Sequence, residues 1–404
     1  MMAQLPEEFL SYTRRLMGDE RFERYLHSFE EQPPVSIRLN PKKVGASSAG
    51  PATLSVDGER VPWCRDGYYL SRRPNFTMDP LLHAGCYYVQ EAASMFLDEV
   101  LRQHLSIVNC QLSIDFCAAP GGKSTLLRAV LPEDCVLYSN EPVRNRASVL
   151  AENVAKWGYD HHVVTNCYPR DYRKAKARFD LILCDVPCSG EGMFRKDEAT
   201  IREWSPQQVE KCWQLQRDIV DDAWACLQPG GLLIYSTCTF NTKENEENIR
   251  YFLEQYDAEV LPVSIRPEWN ITGSLLQGFT EPVYRFIPGI TRSEGLFVAV
   301  LRKKAGEQEF ARIKLPVSTY PATCLHDANA TVELDYHQAI AYLRGEALVL
   351  PADAPRGIIN VTFLGHVLGQ VKNIGSRANN LYPKPWRIKT THIPNDYEAI
   401  LRHS

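Results

Sequence analysis

Between residues 112 and 301 the sequence alternates short apolar runs with amphipathic segments, and no other feature constrains the fold as strongly. Helical periodicity appears in residues 143–157 and 205–227, and Gly, Pro or polar residues bound the apolar runs as they bound buried strands. The runs are LSIDF, CVLYSN, HHVVTN, FDLILCD, GGLLIYST and LFVAVLR. Strands that alternate with helices predict an α/β fold class with a doubly wound sheet.

The length of 404 residues predicts more than one domain, because domains usually hold about 100 to 200 residues. Residues 1–106 predict an N-terminal α+β lobe, with an opening helix over 7–26 and short strands such as VSIRLNP. Residues 107–304 contain the alternating pattern. Residues 305–404 contain INVTFLGHVLGQVKNIG, whose alternating β-branched residues and glycines predict a small β-rich module.

The composition indicates a folded protein without a membrane segment. Hydrophobic residues make up 44% and charged residues 23% of the chain, which excludes the low hydrophobicity of disordered proteins. The start MMAQLPEEFL lacks a secretory signal, and no apolar run is long enough to span a bilayer, so we expect a cytoplasmic protein. The twelve cysteines show no CxxC pair or zinc-ligand spacing, so we expect reduced thiols and no metal site.

The net charge of −4 does not by itself predict a polyanionic partner, so nucleic-acid binding would need a local basic face. Each basic run taken alone is more simply a solvated surface. The candidate runs are Arg38 with Lys42 and Lys43, Arg72 with Arg73, residues 170–178, and residues 384–389.

The segment SIDFCAAPGGKSTLLRAVL predicts a strand, a Gly/Pro turn and a helix. Ligands of doubly wound sheets bind beyond the carboxyl ends of the strands, and a glycine turn lets backbone amides approach them closely. The GGKS sequence resembles the end of an ATPase phosphate loop, but Cys117 stands where that loop needs its first glycine. Glu141 ends the next predicted strand, where a carboxylate can accept hydrogen bonds from a ribose; a surface or capping role is the alternative.

Two thiols and a carboxylate occur where predicted strands end. Asp185 ends FDLILCD, Cys188 lies in the following loop, and Cys238 lies just past GGLLIYST. If both strands belong to one parallel sheet, these side chains meet at one edge, near the cofactor loop. A role as a small core hydrophobe suits other cysteines better, namely Cys184, Cys212 and Cys226.

The residues after Cys238 predict the start of a helix. Asn241 followed by Glu244 has the spacing of an N-cap with a capping box. A helix N-terminus close to Cys238 would favour its thiolate form.

Paired thiols beside a carboxylate suit methylation of an unreactive aromatic carbon. C5 of a pyrimidine becomes nucleophilic only after a thiolate adds to C6, which is covalent catalysis. Asp185 suits the role of an acid or hydrogen-bond partner at N3. The positions at strand ends alone do not decide whether Cys188 or Cys238 attacks.

Segments spread over most of the chain closely resemble the RNA cytosine-C5 methyltransferase family, and the C-terminal part resembles its bacterial branch that acts on 16S ribosomal RNA. The matching segments are RLMGDERFERYLHSFEEQPPVSIRLNP, YYVQEAASM, DFCAAPGGKS, DVPCSGEGMFRKD, STCTFNTKENEENI, EGLFVAVLRK and GQVKNIGSRANNLYPKPWRI. Because both PCSG and TCT are present, the resemblance points to RNA, since DNA cytosine-C5 methyltransferases attack with the cysteine of their PC motif.

The resemblance implies a Rossmann-like S-adenosylmethionine domain. It makes Cys238 the nucleophile, Asp185 the acidic residue of the DxPC motif, which also borders the cofactor, and Cys188 the residue that helps release the product. It places Glu141 at the ribose and Arg146 and Asn166 near the cofactor. The loop that it places along the cofactor consists of Cys117, Ala118, Ala119, Pro120, Gly121, Gly122 and Lys123.

The implied partner is RNA, namely 16S ribosomal RNA or the small ribosomal subunit, in which the target base must leave its stack before a thiol can reach it. The C-terminal module resembles the pseudouridine-synthase-and-archaeosine-transglycosylase (PUA) type of RNA-binding domain. We expect a monomer without membrane contact, since no heptad pattern requires a partner. The sequence departs from the family at Val186, where Ala is usual, and at Gly289, where His is common.

Three alternatives remain open. The substrate could be transfer RNA, or the chain could be a noncatalytic RNA-binding factor for ribosome assembly, although such a factor needs no paired thiols. A thiol redox protein is disfavoured because the cysteines lack CxxC spacing.

Overall fold

The computed structural model describes residues 5–44, 54–304, 319–320, 330–390 and 392–403. Most of residues 305–329, including Cys324, lie outside these ranges. All eleven cysteines within them are free thiols. No helix in these ranges has the length and apolar character needed to cross a membrane.

The chain opens with two helices, α1 (Glu7–Met17) and α2 (Asp19–His27), so the prediction of one helix over 7–26 is wrong. Gly18 separates them at φ 76° and ψ 159°, a conformation outside the helical region that glycine adopts without steric cost. Both helices bury aromatic side chains against the middle part of the chain. The cluster includes Phe9, Phe22, Tyr25, Phe194 and Phe240.

The N-terminal sheet has the strand order β3-β4-β1-β5. Short helices follow or precede its strands. The strands of the lobe are β1 (Val35–Leu39), β2 (Leu54–Val56), β3 (Gly58–Arg60), β4 (Gly67–Leu70) and β5 (Tyr87–Val89), and the helices are α3 (Pro41–Val44), α4 (Pro80–His83) and α5 (Phe96–His104). Strand β2 lies outside this sheet.

The expectation that Arg38 belongs to an exposed basic face is wrong, because its side chain is buried. Its Nη2 donates to Thr125 Oγ1 at 2.7 Å and its Nε to Gln90 Oε1 at 2.7 Å. Lys43 is also turned inward, donating to the carbonyl oxygens of Ala84 and Lys156 at 2.5 Å each. Both cations therefore attach the N-terminal sheet to neighbouring elements.

The alternating pattern forms a nine-stranded sheet of order β11-β13-β10-β9-β6-β7-β8-β14, in which β12 pairs with β13. The strands are β6 (Leu112–Asp115), β7 (Val136–Asn140), β8 (His162–Thr165), β9 (Phe179–Asp185), β10 (Leu227–Thr237), β11 (Ala258–Val260), β12 (Tyr284–Phe286), β13 (Leu296–Lys303) and β14 (Thr319–Tyr320). The helices are α6 (Gly122–Val130), α7 (Arg144–Trp157), α8 (Pro169–Lys174), α9 (Glu198–Glu203), α10 (Pro206–Cys226) and α11 (Glu246–Gln255).

The central strands β10, β9, β6, β7 and β8 pair in parallel. From β6 the chain proceeds outward to β7 and β8, then returns to β9 on the other side of β6. The strand order therefore reverses between β6 and β9, and this switch point is where doubly wound sheets bind ligands.

Strand β9 is buried on both faces, as its continuous apolar run predicts. Leu181 and Leu183 pack into one apolar core, and Ile182 and Cys184 pack into the other. This alternation follows from the two-residue period of a strand. Strand β9 ends at Asp185, at the edge where doubly wound sheets bind ligands.

The C-terminal module contains a four-stranded sheet of order β15-β16-β17-β18. Its helix α12 begins at an N-cap, Asp335, whose side chain accepts from Gln338 N in a capping box. The elements are β15 (Thr331–Glu333), α12 (Tyr336–Leu343), β16 (Gly357–Phe363), β17 (His366–Asn373), β18 (Ala378–Asn380) and β19 (Leu401–His403).

This module shares a core with the N-terminal sheet. Ile37 and Leu81 belong to the same apolar cluster as Ile340 and Val361. Strand β19 pairs with β2. The first and third parts of the chain therefore form one packed unit beside the central sheet.

A buried hydrogen-bond chain crosses the central sheet to Asp115. Ser124 Oγ donates to Asp115 Oδ2 at 2.5 Å, Ser139 Oγ donates to Ser124 Oγ at 2.9 Å, and Ser139 Oγ lies 2.8 Å from His162 Nε2. Burial lowers the pKa of His162 from 6.5 to about 3. Between these values the unfolded chain binds more protons, so this residue lowers stability as the pH falls below 6.5.

We expect His162→Gln to make the free energy of unfolding less dependent on pH between pH 6.5 and pH 4. The slope should change by up to about 1.4 kcal/mol per pH unit, which is the contribution of one proton. Urea denaturation at a series of pH values measures it, with His27→Gln as an exposed control on α2. Parallel profiles for wild type and His162→Gln would refute this assignment.

Candidate active site

Two carboxylates end the strands that flank the switch point. Asp115 ends β6 and Asp185 ends β9. The turn of residues 117–123 follows Asp115, and its Lys123 Nζ donates to Asp185 Oδ2 at 2.8 Å. The predicted cofactor loop and the predicted acid therefore meet directly, as the positions at strand ends implied.

Side chains from α7 hold the main chain of this loop. Asn153 Nδ2 donates to the carbonyl oxygen of Pro120 at 2.7 Å, and Arg146 Nη2 donates to that of Ala119 at 3.1 Å. Gly121 has φ +115°, a conformation that favours glycine, and helix α6 begins at the next residue. The loop thus presents fixed backbone groups at a helix N-terminus, as a cofactor cradle requires.

Asp115 is buried at the base of this loop, and burial raises the pKa of its carboxyl to about 7. It accepts a hydrogen bond from the Cys117 amide at 3.3 Å. Because this pKa lies close to neutral pH, a charged or polar group that arrives nearby can change the protonation state of the carboxyl. Sequence reasoning did not select Asp115, although its position at a strand end was a usable signal.

Glu141 is also buried, at the end of β7. Its Oε1 accepts from the Val143 amide at 2.9 Å, and its Oε2 lies 3.3 Å from Arg146 Nη1. Asn166 Nδ2 donates to the carbonyl oxygens of Glu141 and Pro142 at 2.6 and 2.8 Å. Glu141, Arg146 and Asn166 therefore lie in one hydrogen-bonded corner beside the loop.

Asp185 accepts hydrogen bonds on both oxygens. Ser236 Oγ donates to Oδ1 at 2.6 Å, while Lys123 occupies Oδ2. Burial opposes the charge of Lys123, but Asp185, with smaller contributions from Cys238 and Asp115, raises the pKa of Lys123 above its ordinary value. Lys123 therefore stays a cation beside Asp185.

The two thiols are in contact: Cys188 Sγ lies 3.1 Å from Cys238 Sγ. The Cys238 amide also donates to Cys188 Sγ at 3.3 Å. The hydrogen bond to Cys238 and burial raise the pKa of the Cys188 thiol well above its ordinary value. The Cys188 thiol therefore stays protonated in contact with the Cys238 sulfur.

A tight turn supports Cys238 from below. Gly192 donates its amide hydrogen to the carbonyl oxygen of Cys238 at 2.8 Å, and a Cβ on Gly192 would lie only 2.7 Å from that oxygen. Glu191 accepts from the amides of Phe240 and Asn241 at 2.8 and 2.9 Å. The sequence offered one signal for Glu191, an acidic residue between two glycines in the loop after Cys188, and it was missed.

The predicted helix start at Asn241 is wrong, because α11 begins at Glu246 and its N-cap Asn245 makes no side-chain cap. Asn241 and Glu244 instead bond within the preceding turn, where Asn241 Oδ1 accepts from the Glu244 amide at 2.9 Å. The helix N-terminus is therefore farther from Cys238 than predicted, and the dipole argument for its thiolate weakens.

Glu244 has another role in the site. Its carboxyl is buried and accepts from the Ser189 amide at 3.0 Å and from Gln216 Nε2 at 2.6 Å. Burial raises the pKa of Glu244 to about 7. These bonds tie the loop that carries Cys188 to the segment that carries Cys238, which fixes the distance between the sulfurs.

A cleft of about 1380 Å³ opens between the N-terminal lobe and the central sheet. One wall is the loop from Cys117 to Lys123 together with Asp185, and the opposite walls come from residues 31–36, 70–73, 88–94, 193–196 and 289–293. A Cβ on Gly122 would meet the Tyr88 ring at 3.3 Å. Glycine therefore lets Tyr88 approach the loop closely on this side of the cleft.

Three protein-family models match the chain. One, described as 16S rRNA methyltransferase RsmB/F, covers residues 102–302. The second, described as the N-terminal domain of 16S rRNA methyltransferase RsmF, covers residues 5–92. The third, described as the methyltransferase RsmF PUA domain, covers residues 329–388.

The chain is similar to curated proteins named ribosomal RNA small subunit methyltransferase F. It is 32% identical to the one from Cronobacter sakazakii over 336 residues, covering 81% of this chain and 69% of that protein. It is 28% identical to the one from Erwinia tasmaniensis over 467 residues, covering 94% and 96% of the two chains.

Solved structures share the fold. A methyltransferase homologue from Pyrococcus horikoshii is 27% identical, with a TM-score of 0.59, over 74% of this chain and all of that one. NSun6 from the same organism, solved with SFG, is 19% identical with a TM-score of 0.60, over 76% of this chain and all of that one. The predicted Rossmann-like α/β class with an N-terminal lobe and a PUA-like C-terminal module is confirmed.

Proposed function

Because the chain belongs to the 16S rRNA methyltransferase RsmB/F family, we propose that it methylates C5 of a cytosine in 16S ribosomal RNA through a covalent adduct of Cys238. The enzyme depends on S-adenosylmethionine, and its partner is RNA. The observation that carries the proposal is the contact between Cys188 and Cys238 beside the Lys123–Asp185 pair.

The residues of the switch point suit the cofactor. The backbone of the loop from Cys117 to Lys123 would hold it, with Asp115 below and the corner of Glu141, Arg146 and Asn166 at its ribose end. When bound there, S-adenosylmethionine supplies an electrophilic methyl group. The buried Asp115 carboxyl and the α7 side chains that hold the main chain of the loop support this assignment.

The protein residues supply the rest of the chemistry. Cys238 sulfur bonds to C6 of the cytosine, and the electron pair of the C5–C6 double bond makes C5 nucleophilic. Asp185, held by Lys123 and Ser236, acts at N3 as the acid or hydrogen-bond partner, and the Lys123 ammonium beside it stabilises the negative charge that develops there. After methylation solvent takes the C5 proton, the C5–H electron pair re-forms the C5–C6 double bond, and the sulfur–C6 electron pair leaves with the Cys238 sulfur.

We propose that Cys188 assists this last step. Its raised pKa keeps a proton 3.1 Å from the leaving sulfur of Cys238. Proton donation to a departing thiolate lowers the barrier to its release, as general acids do.

We also propose a division of labour along the chain. Residues 107–304 would carry out catalysis, while residues 1–106 and the PUA-type region within 305–404 would bind RNA around the target cytosine. Exposed lysines of the C-terminal region, Lys384 and Lys389, support a role in binding phosphates.

Methyl transfer from labelled S-adenosylmethionine tests the proposal. The purified protein is incubated with 16S ribosomal RNA, with small ribosomal subunits and with transfer RNA, and the product is mapped by bisulfite sequencing. We expect 5-methylcytosine in 16S ribosomal RNA or the subunit. Methylation of transfer RNA alone would change the substrate, and no methylation of any RNA would reject the activity.

A further inference from the structure

Three buried polar atoms on the walls of the cleft have no hydrogen-bond partner among the described residues. They are Gln90 Nε2, Arg195 Nε and Ser293 Oγ. These side chains are 6%, 5% and 1% exposed. Because buried polar groups in native proteins are nearly always paired, three such atoms around one cleft indicate a polar ligand.

Arg195 has the largest unused binding capacity of the three. Its guanidinium has five N–H donors, but its Nη1 lies 3.4 Å from Glu294 Oε1 and its Nη2 lies 3.5 Å from the Glu31 carbonyl oxygen. Charge-assisted hydrogen bonds are usually about 2.7–2.9 Å long, so these contacts are weak. Glu294 therefore lies beside Arg195 without using up its donors, and neither carboxyl oxygen of Glu294 has a hydrogen-bond partner among the described residues.

The backbone connects Arg195 to the proposed nucleophile. Gly192, three residues earlier, donates to the carbonyl oxygen of Cys238 at 2.8 Å. A Cβ on Gly295 would lie 2.5 Å from the Cα of Gly192, so only glycine allows this approach. Arg195 and Glu294 extend from these two glycine segments, and their positions relative to Cys238 are consequently fixed.

The charge around the mouth of the cleft selects the ligand class. Arg72, Arg73, Lys196 and Arg292 also line it. Arg72 and Arg292 form ion pairs with Glu398 and Glu59, whereas Arg73 and Lys196 form none within the described residues. A single carboxylate, such as that of the cofactor, does not require so many surrounding cations, but a polyanion does.

We propose that Arg195 binds a backbone phosphate of the RNA next to the nucleotide held over Cys238, and that Glu294 positions its guanidinium. This assignment rests on the proposed function. A bidentate guanidinium–phosphate contact would fix the distance from the RNA strand to the thiols, because Gly192, in the segment that carries Arg195, is hydrogen-bonded to Cys238. Arg195 is thus a positioning residue for the substrate.

The variant Arg195→Gln tests the contact. We expect the KM and Kd for RNA to rise by about tenfold or more, since one charge-assisted contact is lost. The slope of log Kd against log salt concentration should fall by about 0.7, corresponding to one phosphate on a single strand. The Kd for S-adenosylmethionine and the kcat at saturating RNA should stay close to the wild-type values. Arg302→Gln, which removes a half-exposed arginine on β13 opposite Leu232, at the end of the sheet away from Cys238, serves as the control and should change neither affinity.

Each outcome bears on the assignment. A weaker Kd for S-adenosylmethionine with unchanged RNA affinity would show that Arg195 binds the carboxylate of the cofactor, and unchanged affinities for both ligands would also overturn the proposal. If circular dichroism shows that Arg195→Gln is unfolded, Arg195→Lys decides: we expect weaker RNA binding with the wild-type salt slope, and unchanged RNA affinity would overturn it. RNA binding is measured without turnover, so absence of methylation by the wild-type protein would reject the proposed function separately.

Discussion

A protein in which alanine replaces Cys238 is expected to lose methyl transfer to RNA by roughly 10⁴-fold or more, as enzymes do when a covalent nucleophile is removed. C5 of cytosine has no other route to nucleophilic character in this site. The fold should survive, because within the described residues the Cys238 side chain hydrogen-bonds only to the Cys188 sulfur, while its carbonyl oxygen and amide make the supporting bonds.

Single-turnover transfer of labelled methyl groups measures this effect, and calorimetric titration with S-adenosylmethionine checks that the cofactor site is intact. Cys212→Ala is the matched control, because it removes a cysteine from the buried side of α10. We expect it to retain activity. If Cys238→Ala kept measurable methylation while Cys188→Ala lost it, the roles of the two thiols would be exchanged.

The variant Cys188→Ala is expected to remain bound to its RNA as a covalent complex. It keeps the Cys238 nucleophile but loses the thiol proton 3.1 Å from the sulfur that must leave. Addition and methylation can then proceed while release slows. Denaturing electrophoresis of the protein with labelled RNA and S-adenosylmethionine should show a retarded band in most of the protein, which wild type shows only in traces.

The double variant with alanine at both Cys188 and Cys238 separates this adduct from tight noncovalent binding. It should give no retarded band under denaturing conditions, because no sulfur remains to bond to C6. Multiple turnovers by Cys188→Ala at the wild-type rate would remove Cys188 from the release step and direct attention to another acid near Cys238.

Strand positions were predictable from the sequence because they depend on local patterns. In β9, alternate residues fill two different cores, so its apolar run could be read without knowing its neighbours. The break at Gly18 was missed although the buried positions step from Met17 to Phe22, which is longer than one helical turn. The burial of Arg38 was missed for a different reason: its partners Gln90 and Thr125 are distant in sequence, and only the packed lobe brings them together.

In the candidate site too, some features were predictable from the sequence and others depended on contacts between distant residues. The meeting of Asp185, Cys188 and Cys238 followed from the rule that parallel strands end at one edge. The supports of these residues did not, because Glu191, Glu244 and Ser236 act through contacts between separate loops. The Asn241 spacing was a true turn signal, but it closed a turn instead of starting the helix.

The core shared by the N-terminal sheet and the C-terminal module affects how deletion mutants should be read. A truncation after residue 304 would uncover Ile37 and Leu81 and would remove β19, the strand partner of β2. Both changes expose apolar surface or an open strand edge. Such a protein would tend to aggregate whatever the module does for RNA. A loss of RNA binding on truncation would therefore report damage to the scaffold, and surface substitutions such as Lys384→Gln are the sounder way to measure what the module contributes.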